Sequence, residues 1–279
     1  MAKKFIITDL DGTLLDTPGK LSKKYIEQLN KWIEQGLAFT IATGRDLKKT
    51  MKAINGLTLK YPVILTNGAI LAELATETYL KITHIDDNIS KHLVQKGQEF
   101  QLFPIVFAAF DPKKQQMHFN KGVWGPQKEI TFLSSDKVYP LLELQCVSIQ
   151  YHAKKEQLDP LLKWVKEKYG NQVNIIYIED VAYSTSGIAG EWFWLEINSH
   201  EAGKDKMLKH LLSVINVKIE DVIAIGDNHN DTDMLKIASQ GIAVANAVDS
   251  VKKNADLIIP SNQEGGVFQY IEEHLDEFI

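Results

Sequence analysis

Two aspartates stand two residues apart at the end of an apolar run: Phe5-Ile6-Ile7 leads through Thr8 into Asp9-Leu10-Asp11, and Gly12-Thr13 follow. Carboxylates this close repel unless a counter-charge joins them. More polar groups recur downstream, in Thr43-Gly44-Arg45, at Lys204, and in the run Gly226-Asp227-Asn228-His229-Asn230-Asp231. If Asp9, Asp11, Asp227 and Asp231 meet, they form a concentrated negative site of hard oxygen ligands. Such ligands select Mg2+, which keeps several waters and shares its shell with substrate phosphate. Lys204 would supply a cation and Thr43 a hydroxyl donor to phosphate oxygens, with helix N-termini adding N–H groups. Acids, Mg2+, lysine and threonine are the parts of a phosphoryl-transfer site, where positioning and charge neutralisation do most of the catalysis.

What could bring residues so far apart in sequence to one place? Each polar cluster follows an apolar stretch that reads as a strand: Phe5–Leu10, "GLAFTIATGR" and "DVIAIGDNHND". Helices are expected over Ser22–Gln35 (capped by Ser22), Asp46–Ile54, Lys204–Leu212, Asp231–Ala238, Asp249–Asn254 and from about Gly266. The strands "YPVILTNGAI", "GIAVA" and "DLIIP" fall between them. Near-continuous apolar strands alternating with helices indicate a parallel sheet covered on both faces. In such a sheet ligands bind at the carboxyl ends of the strands, so the three clusters should converge on one crevice.

The middle of the chain differs. Between about Ile82 and Ala189 the strands "FPIVFAAF", "QQMHFN", "QCVSIQYH" and "VNIIYI" outnumber the helices His92–Phe100 and Glu156–Tyr169. The expectation is a doubly wound, mainly parallel Rossmann-like α/β core, residues 1–81 with 191–279, interrupted by an inserted α+β domain over 82–190.

Composition narrows the field. The 279 residues are 44% hydrophobic and carry a net charge of −5, which argues against wrapping nucleic acid or an anionic membrane. The N-terminal apolar run is too short for a signal-peptide core, and no stretch approaches the roughly 18 apolar residues of a membrane span. Cys146 stands alone, so no intrachain disulfide or cysteine-based zinc site is expected, and its apolar neighbours make it a core thiol. A soluble cytoplasmic protein, monomer or homodimer, acting on a small molecule fits these features.

The motifs "DLDGTLL", "IATGR", Lys204 and "GDNHNDTDML" resemble motifs one to four of the haloacid dehalogenase superfamily of aspartate-nucleophile phosphatases. "PVILTNGAI" and "GIAVANAVDSVKKNADLIIPSNQEGGV" are similar to its Cof-like branch, which carries a large α+β cap of the second type. Only 34 positions lie between Asp9 and Thr43 but 161 between Thr43 and Lys204, so the insertion falls where that cap type belongs. The resemblance implies that Asp9 attacks phosphorus to give an aspartyl-phosphate, and that Asp11 protonates the leaving oxygen and then activates water. It implies Mg2+ held by Asp9, the backbone carbonyl of Asp11 and Asp227, with Asp231 and Asn230 orienting that shell or the phosphate. Thr43, Gly44, Arg45 and Lys204 would bind the substrate phosphate, and the cap would enclose the leaving group. The substrate would be a small phosphomonoester: a sugar phosphate, a nucleotide or a phosphorylated cofactor.

Other residues admit plainer roles. Asp205 stands where the branch usually has glycine and should point away from phosphate; Lys206 is the rival to Lys204 as phosphate lysine. Asn67-Gly68 suits an ordinary turn as well as a place beside the substrate, and Arg45 suits a simple ion pair. His229 is expected to be a solvated loop residue, Trp192-Phe193-Trp194 a strand rejoining the core, and Asp16 a bystander. Trp124, between Gly122 and Gly125, is a speculative substrate contact in the insertion. A phosphomutase, a receiver-type signalling module and a non-catalytic phospho-ligand binder remain alternatives. The acid at position 11, where superfamily ATPases typically carry threonine, favours a phosphatase or mutase.

Overall fold

The computed structural model describes residues 4–17, 19–110, 116–120, 146–180 and 191–279. They fall into two compact units, residues 1–81 with 203–279, and residues 82–202. In chain order the first unit begins with strand Phe5–Thr8 (β1), helix Lys23–Gln35 (α1), strand Ala38–Ile41 (β2) and helix Leu47–Ala53 (α2). Strands Val63–Leu65 (β3), Ile70–Glu73 (β4) and Thr78–Ile82 (β5) follow. The second unit holds helix Asp87–Glu99 (α3), strands Ile105–Phe110 (β6), Gln116–Asn120 (β7) and Cys146–Lys154 (β8), helix Lys155–Tyr169 (α4), and strands Val173–Glu179 (β9) and Trp192–Ser199 (β10). The first unit resumes with helix Lys204–Ile215 (α5), strand Val222–Gly226 (β11), helix Thr232–Ile237 (α6), strand Gln240–Val244 (β12) and helix Asp249–Lys252 (α7). Strand Leu257–Ile259 (β13) and helices Gly266–Glu273 (α8) and Leu275–Phe278 (α9) complete it.

The first unit's main sheet has the order β13-β12-β11-β1-β2, with every pairing parallel. A single parallel bridge, Ala42 to Ile64, continues it toward β3. Residues 5–8 of β1 and 222–225 of β11 are at most 2% exposed, as expected of strands covered on both faces. From β1 the chain first moves outward to β2, and only much later returns to pair β11 with β1's other edge. The strand order therefore reverses between β1 and β11, which is where an open parallel sheet leaves a crevice. Thr8 pairs with Ile225, and Asp9 N–H donates to the Ile225 carbonyl at 2.9 Å, so the loops after both strands emerge side by side.

Local chemistry sets the helix starts. Asp46 caps α2 by accepting from Lys49 N at 2.9 Å, and Asp86 caps α3 by accepting from Asn88 N and Ile89 N. That cap starts α3 five residues before the expected His92. Ser22 stands at the N-cap of α1, but its side chain makes no capping bond there. Instead Asp16 accepts from Ser22 N at 2.8 Å and braces the entry to α1.

The second unit is an antiparallel sheet, order β7-β6-β8-β10-β9, packed on α3 and α4. Its apolar centre includes Leu93, Ile149, Tyr151, Leu158, Leu161, Val165, Leu195 and Ile197. Gly97 gives Tyr151 its room, since a Cβ there would lie 2.3 Å from the tyrosine oxygen, which bonds the Leu93 carbonyl. Cys146 is fully buried in this core, as expected, and burial pushes its thiol well above the ordinary value.

One boundary differs from the sequence expectation. Trp192-Phe193-Trp194 does form a strand, but it does not rejoin the parallel core: β10 lies between β8 and β9, antiparallel to both. Residues 191–202 thus belong to the second unit, and the first unit resumes at Gly203 rather than at 191. The physical reason is ladder pairing, because β10 satisfies both of its edges inside the antiparallel sheet. Phe193 packs on that unit's core, while Trp192 and Trp194 share the other face with His152. Among the described residues no helix is long and apolar enough to cross a membrane. Trp124, Gly122 and Gly125 lie outside the described residues.

Candidate active site

Asp9 leaves the end of β1 only 6% exposed, and the ammonium that answers it comes from the first residue of α5. Lys204 Nζ donates to Asp9 Oδ1 at 2.5 Å and to Asp231 Oδ1 at 2.6 Å, with its side chain 1% exposed. Burial alone would lower the pKa of this lysine, but the Asp231 and Asp9 carboxylates more than reverse that, so it stays an ammonium. Lys206 is exposed on the same helix. Of the two lysines at the start of α5, Lys204 is bonded to Asp9 and Asp231. Asp205 folds back over the helix start, its Oδ1 only 2.6 Å from where a Gly203 Cβ would stand.

Asp231 is wholly buried and fully used. Its Oδ1 takes Lys204, while its Oδ2 accepts from Asp227 N at 3.1 Å and Asn228 N at 3.0 Å. It therefore braces the loop after β11 and fixes where Asp227 sits. Gly226 makes that loop possible, since a Cβ there would lie 2.5 Å from the Cβ of Asp231. Asp227 Oδ1 accepts from Thr13 Oγ1 at 2.8 Å, tying the β11 loop to the turn after β1.

Asp9, Asp227 and Asp231 each present an oxygen within 4.8 Å of the others. Burial, then the neighbouring acids, push Asp227 up to about 7, and burial holds Asp9 well above the usual carboxylate range against the pull of Lys204. Three carboxylates facing one ammonium leave an excess of negative charge, all of it on hard oxygen donors. That composition suits a divalent cation such as Mg2+.

Asp11 is separate from this cluster. Its carboxylate is 56% exposed and is held by Arg45, whose Nε and Nη2 donate at 2.6 and 2.5 Å. Its charge still acts on Asp9 and Asp227, and Arg45 is engaged with an acid. Gly12, next in the turn, adopts φ +77°, and a Cβ there would lie 2.5 Å from Asp227 Oδ2. Only glycine fits both the backbone and the space.

The third cluster closes the crevice from the β2 side. Thr43 is fully buried; its hydroxyl accepts from Arg45 N at 3.1 Å, which leaves the hydroxyl proton to donate. Thr66, Asn67 and Gly68 all have positive φ, at +49°, +51° and +88°. This unusual turn is locked by Thr66 N to the Arg45 carbonyl and Asn67 N to the Thr43 carbonyl, both 3.0 Å. The Asn67 amide lies against Gly44 and accepts from Asn230 Nδ2 at 2.8 Å, so one asparagine ties the β2, β3 and β11 loops together. Gly68 is needed because a Cβ there would lie 2.2 Å from the Gly203 backbone. His229 is exposed at the rim, its Nδ1 3.2 Å from Ser250 Oγ. The turn residues Asn246 and Asn262, which touch the Asp11 turn, lie within the closing stretch similar to the Cof-like branch, but neither is singled out there as a site residue.

The sequence pattern of the haloacid dehalogenase-like hydrolases matches residues 6–271, and the chain belongs to that family. It is 23% identical to the 5-amino-6-(5-phospho-D-ribitylamino)uracil phosphatase YitU of Bacillus subtilis over 96% of each chain. It is 26% identical to the pyridoxal phosphate phosphatase YbhA of Escherichia coli, covering 99% of this chain and 100% of that one. Its fold is similar to that of a haloalkanoate-superfamily phosphatase from Bacteroides thetaiotaomicron, with a TM-score of 0.75 at 19% identity, over 99% of this chain and 96% of that one.

Proposed function

We infer that the protein is a Mg2+-dependent phosphatase that hydrolyses a small phosphomonoester through a phosphorylated aspartate. The observation that carries this reading is Lys204, buried between Asp9 and Asp231 at the carboxyl end of the sheet. It holds one oxygen of Asp9 and leaves the other for attack on phosphorus. When bound beside Asp9 and Asp227, Mg2+ supplies the positive charge that offsets the crowded acids and the phosphate oxygens.

In the first half-reaction Asp9 forms an O–P bond while the bond from phosphorus to the leaving oxygen breaks. The electron pair leaves on that oxygen, which takes a proton from Asp11. In the second half, water attacks the same phosphorus, gives its proton to Asp11, and releases phosphate from Asp9. The hydroxyl of Thr43 and the ammonium of Lys204 are the donors toward the phosphate oxygens, with Gly44 letting the backbone approach. Asn230, bonded to Asn67, orients the loop around them.

The substrate belongs to the small phosphorylated metabolites, a range that includes the pyridoxal phosphate and phosphoribitylaminouracil of the relatives' names. We assign recognition of the leaving group to the second unit. The test is release of inorganic phosphate from an aryl phosphate with and without Mg2+, by the wild type and by Asp9→Asn. Release that requires Mg2+ and falls at least about a thousandfold in the variant supports the reading. Equal rates in the two proteins would sink it.

A further inference from the structure

The turn that carries Asp11 is soft by composition and firm by outside support. In residues 10–15 Leu15 N donates to the Leu10 carbonyl at 2.9 Å, and the turn pivots on Gly12. Glycine at the pivot raises the entropy lost on fixing the turn. Three loops supply the pins, one from each strand on that side of the sheet. After β11, Asp227 accepts from Thr13 Oγ1 at 2.8 Å. After β12, Asn246 Nδ2 donates to the Gly12 carbonyl at 2.7 Å. After β13, Asn262 Nδ2 donates to the Leu15 carbonyl at 2.7 Å. The last two pins are also joined, because Asn262 N donates to Asn246 Oδ1 at 3.0 Å.

Asn246 is exposed and Asn262 half-buried, so neither adds to the apolar core. What each adds is directional: a side-chain amide donating to a main-chain carbonyl of the turn, while Asn246 also accepts from its neighbour. An aspartate in either place has nearly the same shape but only acceptors, and would face the carbonyl with a negative oxygen.

We propose that Asn246 and Asn262 are positioning residues that hold the Gly12–Leu15 turn, and with it Asp11, in register with the acids of the sheet. The proposal rests on the phosphatase reading for its catalytic consequence and on hydrogen-bond geometry for its structural one. Proton delivery by Asp11 matters most when the leaving oxygen is a poor leaving group, so a misplaced Asp11 penalises alkyl phosphates more than activated aryl phosphates.

The experiment compares wild type, Asn246→Asp and Asn262→Asp as full-length proteins. Two quantities are read: amide hydrogen exchange in segment 10–15, and Mg2+-supported kcat and KM for p-nitrophenyl phosphate and for glycerol phosphate. Asn254→Asp serves as control, since Asn254 Nδ2 makes the same kind of bond, to the Ser250 carbonyl at 2.6 Å, away from the turn. Faster exchange in segment 10–15 is expected in both test variants and not in the control. The kcat for glycerol phosphate should fall about tenfold further than that for the aryl ester, with KM nearly unchanged. A proportional fall for both esters overturns the proposal, because loss of folded protein acts on both alike. Unchanged exchange overturns it too, whatever the activity. If the wild type hydrolyses neither ester, the phosphatase reading fails, while the exchange comparison still decides whether the two asparagines hold the turn.

Discussion

Arg45 grips Asp11 with two guanidinium nitrogens at 2.5 and 2.6 Å, while its third, Nη1, donates to the Gly19 carbonyl at 3.1 Å. The pair fixes the acid expected to move protons beside an acid cluster it does not join. A lysine cannot reproduce two parallel bonds to one carboxylate. Arg45→Ala is therefore expected to lower kcat about tenfold, and Arg45→Lys to recover little of it. Steady-state kinetics on one phosphomonoester checks this, and full recovery by lysine would show that charge alone suffices.

Gly12→Ala should cripple the site without unfolding the protein. The new Cβ would lie 2.5 Å from Asp227 Oδ2 on a backbone at φ +77°. Left-handed backbone costs a non-glycine residue roughly 1–2 kcal/mol. The carboxylate must also give way, and a displacement of about 1 Å at a reacting centre can cost on the order of a hundredfold in rate. Circular dichroism close to wild type with activity down about a hundredfold is the expected result.

Removing Lys204 leaves two buried carboxylates without their cation. Breaking a buried ion pair from one side costs about 3–5 kcal/mol. Lys204→Met should lower the urea midpoint by a corresponding amount in divalent-free buffer and abolish phosphate release. A midpoint unchanged from wild type would mean that solvent reaches these acids.

The acid cluster also gives stability a pH dependence. Burial, then Asp231, raise Asp227 from 3.8 to about 7, so between these values the folded carboxyl binds a proton that the unfolded one does not. Its contribution to stability is full below 3.8 and is lost as pH rises to about 7. Without divalent ions the first unit should therefore weaken across that window, and Asp227→Asn should flatten the slope. At pH 7.5, Mg2+ at about a hundredfold over its Kd should raise the melting midpoint by about 5–10 °C in the wild type and far less in the variant.

The second unit should respond in the opposite sense. His152 has a buried side chain with Nε2 2.9 Å from Asp180 Oδ2, and stacks on Trp194 at 4.2 Å between ring centres. Burial lowers its pKa, opposed by Asp180. In the window below about 6.5 the unfolded imidazole takes a proton that the folded one refuses. Its stabilising contribution is therefore present above that pH and lost as pH falls through it. Urea unfolding followed by tryptophan fluorescence between pH 5 and 7 should show this slope, reduced in His152→Gln.

The parts of this molecule that were legible in sequence are those where residue type alone carries the chemistry. Asp9, Asp227 and Lys204 follow or begin elements whose apolar runs are unmistakable, and the parallel sheet brings them together as strand polarity requires. The boundary at β10 was not legible. An alternating Trp-Phe-Trp strand looks the same whether it ends a parallel sheet or sits inside an antiparallel one, and only its ladder partners decide. Asn67 could be seen as a turn residue, but its bond to Asn230 spans 163 positions and leaves no local trace. Asp16 was similarly opaque, because a carboxylate accepting from Ser22 N replaces the cap that the serine itself was expected to make.

The place of β1 in the sheet also bears on how the protein is made. Strand β1 lies inside the sheet, between β2 and β11, and its partner β11 begins only at Val222. At roughly 5–20 residues per second, one edge of Phe5-Ile6-Ile7 waits about 10–45 s on the ribosome before that partner exists. Through that interval the nascent chain presents an apolar strand with unpaired N–H and C=O groups, the kind of edge on which chains aggregate. This gives chaperones a defined early target, and makes yield on overexpression depend on the pace of synthesis as well as on the stability of the finished fold.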